Sequence, residues 1–559
     1  MPRHPKRNAT TRGSWPNAIL ENFYECASGD PDDHQVWCYT DSLTYAPGDR
    51  VRFHVNTSAQ AFDLEILRDG AVTETVDMAH DIPGAFHPTA EDCSVAGCGW
   101  PVAHEMDIPD TWRSGGYRVR TRARSRTGET TQHDHWFALR PGPQSPRGDL
   151  LLVAATSTWI AYNDWGGSNH YEGITGPARD QCAPVVSVER PFSRGFFWLP
   201  PNAPRAALAV SVPIGAPPRY PHVEWAYANG FSKKFASAGW ATYERNFVRW
   251  AESQGYRVDV ATQHDLHFRP EVLRGYDCVV VVGHDEYWSW EMRDAVDTYV
   301  EAGGRVARFG ANFMWQVRLE DEGRRQVCYK YRARAEDPIR NGGDITRLTT
   351  GWEAPEVGRP GVQTFGLNAL RGIYARFGLC TPRASGGFTV YRPEHWVFQG
   401  ADLYYGDVFG AEARIFGYEV DGLDYIVQGG LPYPTRLDGA PDGIEILAMG
   451  LATLVEENRG HEGAPYFIAD GDARFTAELL HGEATPETID RVRRGSGMVV
   501  VMPKGKGEVF NAGSCEWVAG LIAREPFVER ITCNVLDRYA GGRSAAPASG
   551  RSTRAAVNP

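Results

Sequence analysis

Four consecutive residues with chemically versatile side chains, His284, Asp285, Glu286 and Tyr287, follow an apolar run from Val279 to Val282. The run is β-branched and carries no polar side chain, which predicts a strand that is buried on both faces of a parallel sheet. Ligands of open α/β sheets bind outside the carboxyl ends of the strands. The sequence therefore predicts that this tetrapeptide, HDEY, lines a ligand-binding or catalytic site at a sheet edge.

Two further residues extend this set to a candidate metal centre. Tyr243 begins a predicted amphipathic helix, Thr242 to Gln254, that starts at the same sheet edge, and Glu353 lies in a loop predicted to cover that edge. Two phenols and one carboxylate are hard oxygen ligands, which suit a hard trivalent cation such as Fe3+ better than zinc or copper(I). Tyr243, Tyr287 and Glu353 are the candidate ligands, with Glu356 as a rival. Because the chain has 24 tyrosines, an ordinary aromatic role is the commoner interpretation of any such pair.

Other polar residues near these positions are candidates for proton transfer or substrate binding. His284 and Glu286 could act as a general base, or they could cap the helix that follows. Asn368 could hold a substrate carbonyl, although a hydrogen bond within a turn is the more frequent role of asparagine. Glu516, in GSCEW, is a weaker candidate for a second base.

Cysteine and histidine pairs elsewhere give weaker signals. Cys93 and Cys98 could form a disulfide or bind a metal, but two reduced loop thiols are the simpler interpretation because no second pair stands at zinc-finger spacing. His133 and His135 have metal-like spacing on a strand, and we expect both to face solvent. None of the ten cysteines lies in a G-x-C-x-G nucleophile elbow, so thiol catalysis is disfavoured.

The elements around HDEY predict an α/β domain. Trp290 to Ala302 has apolar positions at helical spacing, and Arg305 to Phe309 is a second predicted strand, so residues 276–312 form a βαβ unit. Strands alternate with helices over residues 149–330. This alternation predicts a doubly wound parallel sheet.

The remaining sequence divides into regions that differ in their pattern of apolar and polar residues. Residues 34–140 alternate apolar and polar positions between turn signals, which predicts a β-sandwich domain. A Pro/Gly/Ser linker separates it from an α/β catalytic domain spanning 149–540, with a β-rich insertion at about 331–495. Residues 1–33 are predicted to be an N-terminal arm, and 541–559 a disordered tail.

Composition narrows the class of protein. The 559 residues carry a net charge of -12, which argues against nucleic acid and anionic membrane surfaces as partners. No window approaches 18 apolar residues and the basic start leads into polar sequence, so neither a membrane span nor a secretory signal is visible. The expected compartment is the cytoplasm.

Beyond these patterns, the chain resembles a known family, the large (β) subunit of N,N-dimethylformamidase, over roughly residues 36–540. The resemblance is carried by GHDEYWSWEMRDAVDTYVEAGGRVARFGANFMWQVR, TYERNFVRWAESQGYRVDVATQHDLH, LTTGWEAPEVGRP and GEVFNAGSCEWVAGL. It implies a sandwich-like module followed by a domain shaped like a class I glutamine amidotransferase, and a mononuclear iron held by two tyrosines and a glutamate. Tyr287, Tyr243 and Glu353 match those ligands. The family also places a histidine two residues before its glutamate, where this sequence has Gly351.

These observations together predict an iron-dependent amidohydrolase. The resemblance implies that metal-activated water hydrolyses the C–N bond of a small amide or formamide, in a homo-oligomer for which the need for a small subunit is open. The alternative is a non-catalytic protein on the same fold that binds a ligand or carbohydrate, with the aromatic-rich stretch 385–425 forming its pocket.

Overall fold

The fold was analysed in a computed structural model that describes residues 6–7, 23–175, 181–207, 220–372, 386–453 and 471–541. The predicted arm and tail therefore lie largely outside the described residues. Ten strands precede residue 140: β1 Lys6–Arg7, β2 Phe23–Tyr24, β3 Val36–Thr40, β4 Thr44–Tyr45, β5 Arg50–Thr57, β6 Ala61–Asp69, β7 Thr73–Pro83, β8 Val102–Asp107, β9 Gly115–Arg124 and β10 Thr130–Leu139, as counted in the described part of the chain.

The rest of the described chain alternates irregularly between strands and helices. Its strands are β11 Leu150–Ala154, β12 Val185–Ser187, β13 Val258–Thr262, β14 Cys278–His284, β15 Tyr287–Ser289, β16 Arg305–Ala311, β17 Trp315–Glu320, β18 Arg325–Val327, β19 Phe388–Val390, β20 Val408–Phe409, β21 Tyr425–Gln428, β22 Leu431–Pro434, β23 Glu445–Thr453, β24 Arg494–Lys504 and β25 Gly507–Asn511. The α-helices of the described chain are α1 Cys93–Ala96, α2 Thr156–Tyr162, α3 Pro221–Asn229, α4 Glu244–Ser253, α5 Gln263–Phe268, α6 Trp290–Glu301, α7 Ala333–Glu336, α8 Val362–Phe365, α9 Gly471–His481, α10 Pro486–Val492, α11 Trp517–Ile522 and α12 Pro526–Tyr539.

Two antiparallel sheets form a sandwich in the N-terminal region. One has the strand order β3-β5-β8 and the other β4-β10-β9-β6-β7, with β4 joining its neighbour in parallel. Alternate residues of each strand point between the sheets, where Val51 and Phe53 meet Ile66, Val119 and Phe137 in one apolar core. The period-two pattern of the sequence produces this arrangement because successive side chains of a strand face opposite sides.

A large mixed sheet occupies the centre of the molecule. Its order in the described residues is β13-β11-β14-β16-β25-β24-β23-β19-β20. The first five strands in this order pair in parallel, whereas β24, β23, β19 and β20 pair antiparallel. Strand β14, helix α6 and strand β16 form the predicted βαβ unit, with Val280 opposite Ala307.

The predicted doubly wound α/β fold, with its class I glutamine amidotransferase-like domain, is wrong. Strands hold more residues than helices, and the architecture is mostly β-sheet and sandwich-like. The predicted fold class rested on the alternation of strands and helices over residues 149–330, within a catalytic domain predicted to span 149–540. The stretch from 331 to 495, which it set aside as an insertion, instead supplies β19, β20 and β23 to the same sheet in antiparallel pairing.

The expectation that His133 and His135 face solvent is also wrong. Both are 1% exposed, because they lie on the same side of β10 as Phe137, bond to the backbone of β3, and are covered by Phe192 and Phe197. The Nδ1 atom of His133 accepts from the Cys38 amide at 3.2 Å, and its Nε2 lies 2.8 Å from the Phe192 carbonyl oxygen. Cys93 and Cys98 are free thiols, as the simpler interpretation predicted. In the described ranges, no helix combines the length and apolar character needed to cross a membrane.

Candidate active site

The HDEY tetrapeptide lies where β14 ends and the chain turns into α6. All four of its side chains are buried. Gly283, the next-to-last residue of β14, has a left-handed conformation (φ 78°), and β15 then pairs in parallel with β17, bringing Tyr287 opposite Trp315. The backbone carbonyl of Glu286 accepts from the amides of Met314 (3.2 Å) and Trp315 (2.9 Å). These backbone bonds fix the direction in which the His284 and Glu286 side chains project.

His284 is held by hydrogen bonds at both ring nitrogens. Its Nδ1 lies 2.7 Å from the Ser237 carbonyl oxygen, which accepts only, so Nδ1 carries the proton. Its Nε2 lies 3.0 Å from the Asn312 amide nitrogen, which donates. The imidazole is neutral while Nε2 accepts this bond, and it becomes an imidazolium that can donate to Glu419 once Nε2 is protonated.

Two carboxylates converge on the same imidazole nitrogen. One oxygen of Glu286 and one of Glu419 each lie 3.4 Å from His284 Nε2. Asn312 also donates a hydrogen bond to Glu419. Burial alone would lower the pKa of His284, but the hydrogen bond to Glu419 and the charges of both carboxylates raise it above its ordinary value. Three acceptors this close in a buried site require a proton or a cation between them.

Glu286 is the best connected of these groups. The Tyr171 hydroxyl donates to both of its carboxylate oxygens at 2.7 Å, and Trp315 Nε1 donates to one of them at 2.6 Å. The ammonium of Lys330 lies 3.2 Å from the centre of the Tyr171 ring, and that of Lys234 lies 5.3 Å from it. Burial, followed by the Glu286 charge, raises the pKa of Tyr171 well above its ordinary value. The carboxylate thus faces a phenol whose ring has cations close to it.

Tyr287 lies beside this cluster with its hydroxyl unpaired. Among the described residues, the buried Tyr287 oxygen makes no hydrogen bond of regular geometry, although the Tyr171 hydroxyl is close enough to lower its pKa. Its ring stacks on His170 at 5.8 Å and meets Tyr171 edge to face at 6.5 Å. Burial and the nearby Glu286 charge raise the pKa of Tyr287 well above its usual value. Because a buried phenol oxygen without a hydrogen bond is energetically costly, it is a candidate to contact a ligand or ion.

The other two candidate ligands have different neighbours. The Tyr243 hydroxyl lies 3.4 Å from Glu516 and 3.5 Å from the Ala236 carbonyl oxygen. One oxygen of Glu353 accepts from the Gly361 amide at 2.9 Å, and the other is buried with no partner within the described ranges. Burial raises the pKa of Glu353 to about 7.

The structure thus brings His284 and Glu286 together with Tyr287 beside them. The hydrogen bonds of Tyr243 and Glu353 go to separate groups of atoms. The rival Glu356 forms an ion pair with Arg334 at 2.8 Å. The side chain of Asn368 accepts from the Arg371 amide at 3.2 Å and begins a 3-10 turn.

Sequence reasoning missed several residues of the cluster. Asn312 directly follows β16, Tyr162 ends α2, and Tyr171 lies in the loop after that helix. A signal was present for these three, since YNDWGGSNHY and the residues after β16 are polar loops that follow buried parallel strands. Glu419 gave no such signal, because it precedes β21 in a stretch that shows no strand–helix period.

The oxygen atoms near Glu286 fit a hard cation. In the ranges that the structure describes, no three His, Cys, Asp or Glu side chains are arranged to hold a metal. A metal centre here therefore needs phenol ligands as well. Glu286 offers a carboxylate, Tyr171 a phenol in contact with it, and Tyr287 a buried phenol without a partner. One carboxylate and two phenols form an oxygen set that suits Fe3+.

Comparisons with known proteins point to one family. The family model described as "N,N-dimethylformamidase beta subunit-like, C-terminal" matches residues 68–529. The N,N-dimethylformamidase beta subunits of an Alcaligenes species and of Paracoccus aminophilus are each 25% identical to this chain over 488 residues, covering 81% of this chain and 55% of the relative. The chain thus spans about half the length of these curated relatives. Among solved structures, murine CRIg aligns with 12% identity and a TM-score of 0.14, covering 19% of this chain and 98% of that one, which supports no conclusion about the fold.

Proposed function

We propose that this chain, which belongs to the N,N-dimethylformamidase beta subunit-like family, is a hydrolase that cleaves amide C–N bonds. The observation that carries the proposal is the convergence of Glu286 and Glu419 on His284 Nε2, at 3.4 Å each. Amide hydrolysis needs a group that takes a proton from the attacking water and returns one to the departing amine. A buried imidazole between two carboxylates can hold that proton.

The proposed proton path uses only side chains of the cluster. His284 Nε2 accepts the proton of the attacking water, and Glu419 and Glu286 stabilise the imidazolium that results. The Asn312 amide, 3.0 Å from Nε2, keeps the ring oriented. The same Nε2 then returns the proton to the amine nitrogen as the C–N bond breaks. Closely packed aromatic rings exclude bulk water, which strengthens each of these charge interactions.

The proposal includes a mononuclear Fe3+ held near Glu286. Two donor sets are candidates: Tyr243, Tyr287 and Glu353, which the sequence predicted, and Glu286 with Tyr171 and Tyr287. We favour the second set because Tyr171 contacts both oxygens of Glu286 at 2.7 Å. When bound, the ion would supply a Lewis acid for the amide carbonyl.

Substrate, assembly and compartment are further parts of the proposal. A small amide or formamide is the expected substrate, by analogy with the names of the relatives. These relatives are named as subunits, which supports an oligomer and leaves open the need for a small subunit. All cysteines in the described chain are free thiols, which fits a reducing compartment such as the cytoplasm.

Metal analysis combined with an amine-release screen tests the proposal. The purified chain should carry about one iron per molecule, show a visible phenolate-to-iron band, and release amine from formamides or other small amides. Glu286→Gln and Tyr171→Phe should lose both iron and activity, whereas Tyr243→Phe and Glu353→Gln should keep both. Tyr256→Phe, a buried phenol bonded to Asp537 at 2.6 Å, is the matched control.

The opposite pattern has a definite meaning. If Tyr243→Phe and Glu353→Gln lose iron while Tyr171→Phe keeps it, the set predicted from sequence is the correct one. A folded, colourless protein that releases no amine from any amide, with or without added iron, would contradict the hydrolase proposal. That outcome would favour the non-catalytic ligand-binding alternative.

A further inference from the structure

Exposed apolar side chains are concentrated in one stretch of the chain, on and beside the hairpin of β21 and β22. Of the fifteen large hydrophobic side chains that are exposed in the described residues, seven lie within residues 404–437. Tyr404 is 66% exposed and Val427 57%. We call this surface the tyrosine patch, and its members are Tyr404, Tyr405, Val408, Ile426, Val427, Tyr433 and Leu437. Such a cluster, unlike single exposed apolar residues, indicates a contact surface.

The tyrosine patch is built on a hairpin that pairs with no other strand in the described chain. Strands β21 and β22 form a two-stranded sheet of their own, closed by a turn at Gly429 and Gly430. The Tyr405 hydroxyl holds the turn by donating to the Gly430 carbonyl at 2.7 Å. A two-stranded hairpin is marginally stable alone in water, so further cover would stabilise it.

The rim of the tyrosine patch, taken as the exposed charged residues of the same stretch of chain, is acidic, although Arg392 lies 5.0 Å from the centre of the Tyr433 ring. Between residues 402 and 445, five acidic side chains and two basic ones are exposed, a net charge of about -3. They are Asp402, Asp407, Glu412, Asp442 and Glu445, with Arg414 and Arg436. A second copy of the chain would bring the same acidic rim against itself. The charge therefore favours a basic segment as the occupant.

The chain itself supplies a basic segment that starts nearby. Helix α12 ends at Tyr539, whose ring lies 5.9 Å from that of Trp396. On the same helix, Asn534 donates to the carbonyls of Val397 and Gln399, at 2.9 and 2.8 Å. The chain therefore leaves α12 beside the segment that leads into Tyr404. The following residues, 542–559, contain three arginines and no acidic residue.

We propose that residues 542–559 dock on the tyrosine patch of their own chain. Eighteen residues reach about 60 Å when extended, which is ample for the path. Arg543, Arg551 and Arg554 would stack on the patch tyrosines and pair with Asp402 and Asp407. The Ala, Pro and Val residues of the segment would cover the apolar face of the hairpin. The proposal is independent of the hydrolase activity.

Hydrogen exchange of the full chain, read by mass spectrometry, tests the docking. Backbone amides of 403–408 and 425–434 should exchange about tenfold faster when Arg543, Arg551 and Arg554 are all changed to Glu, because a tethered segment acts at millimolar effective concentration. High salt should have the same effect on the wild type. The matched control changes Arg113, Arg124 and Arg126 to Glu, since these arginines are exposed on the sandwich and the charge change is equal.

Three results would overturn the proposal. Equal exchange of these amides in the wild type and the tail variant would mean that the segment does not cover the patch. Protection that rises with protein concentration would assign the patch to a second copy. If the tail variant and the control both lose protection, the change in net charge alone explains the effect, and docking is contradicted.

Discussion

At the scale of single residues, the unusual feature is the placement of two carboxylates on one imidazole nitrogen. Glu419 lies 3.4 Å from His284 Nε2 and shares Asn312 with it. In the proposed reaction this carboxylate stabilises the imidazolium. We expect Glu419→Gln to lower kcat for amide hydrolysis by about 10²- to 10⁴-fold, as for a lost acid–base contribution, with little change in KM.

The control for this prediction is another buried carboxylate of the same region. Glu516 pairs with Arg205 and lies 3.4 Å from the Tyr243 hydroxyl, without a contact to His284 in the described residues. Glu516→Gln should leave kcat within a few fold of the wild type. Equal losses in the two variants would show that any buried carboxylate of this region is needed for folding alone.

A second residue-scale prediction concerns Glu244, which is buried away from this cluster. It accepts from the Ala155 amide at 3.1 Å, and burial raises its pKa to about 7, from an ordinary 4.5. The folded state therefore binds this proton more tightly than the unfolded state, so stability falls as pH rises from about 4.5 through 7. Glu244→Gln has no charge to bury. We expect it to be more stable than the wild type by about 3 kcal/mol at pH 8.

Urea denaturation at pH 4 and pH 8 measures this difference. At pH 4 the side chain is protonated in both states, so the two proteins should differ little. If the stability difference between Glu244→Gln and the wild type is the same at pH 8 as at pH 4, Glu244 is ionised in the folded protein at no cost.

At the scale of elements, the end of β14 decides where the tetrapeptide points. Gly283 has φ 78°, and a Cβ at that position would collide with Cβ and Cγ of Tyr243 on the neighbouring chain segment. Both the left-handed backbone and the close approach require glycine here. We expect Gly283→Ala to lower the free energy of unfolding by about 3 kcal/mol or more, since strain and overpacking add.

Gly99→Ala separates the two causes. Gly99 has φ 62° but would place its Cβ in open space, so the substitution adds backbone strain without a collision. It should cost about 1 kcal/mol in thermal or urea unfolding. If both variants lose the same amount, the packing of Tyr243 against Gly283 contributes nothing.

Part of the site could be predicted from local patterns because one βαβ unit creates it. The apolar run of β14, the stop at Gly283 and the helical period of α6 are all local, and they placed His284 and Glu286 correctly at a strand end. Glu419 and Tyr171 join them through tertiary contacts over 115 or more residues, as with Tyr171 and Glu286. Local propensity carries no information about such contacts.

At the scale of the whole molecule, strand pairing decides the fold class. The parallel half of the large sheet has a clear strand–helix period, which the sequence analysis detected. Its antiparallel half is built by β24, β23, β19 and β20, which are short or widely separated in the chain. Pairing between such distant strands is set by burial and not by a local period, so the class was assigned from half of the sheet.

The joint between the sandwich and the rest of the molecule has the properties of an acid-sensitive contact. His133, on β10, accepts from Cys38 and lies 2.8 Å from the Phe192 carbonyl oxygen, which belongs to the covering segment. Burial lowers its pKa to about 3, from an ordinary 6.5. The unfolded chain takes up this proton first as pH falls, so stability is lost progressively below about pH 6.5.

Replacing His133 should therefore make the molecule less sensitive to acid. On going from pH 7 to pH 5, the buried His133 lowers the free energy of unfolding by about 2 kcal/mol. His133→Gln does not titrate and cannot show this loss, although the hydrogen bonds that it loses lower its stability at both pH values. Urea denaturation at the two pH values should show a smaller pH 7 to pH 5 loss in this variant than in the wild type. His80→Gln, at an exposed sandwich position, should keep the wild-type difference. An unchanged difference in His133→Gln would mean that His133 is protonated in the folded joint, and that the sandwich meets its neighbour through a charged contact.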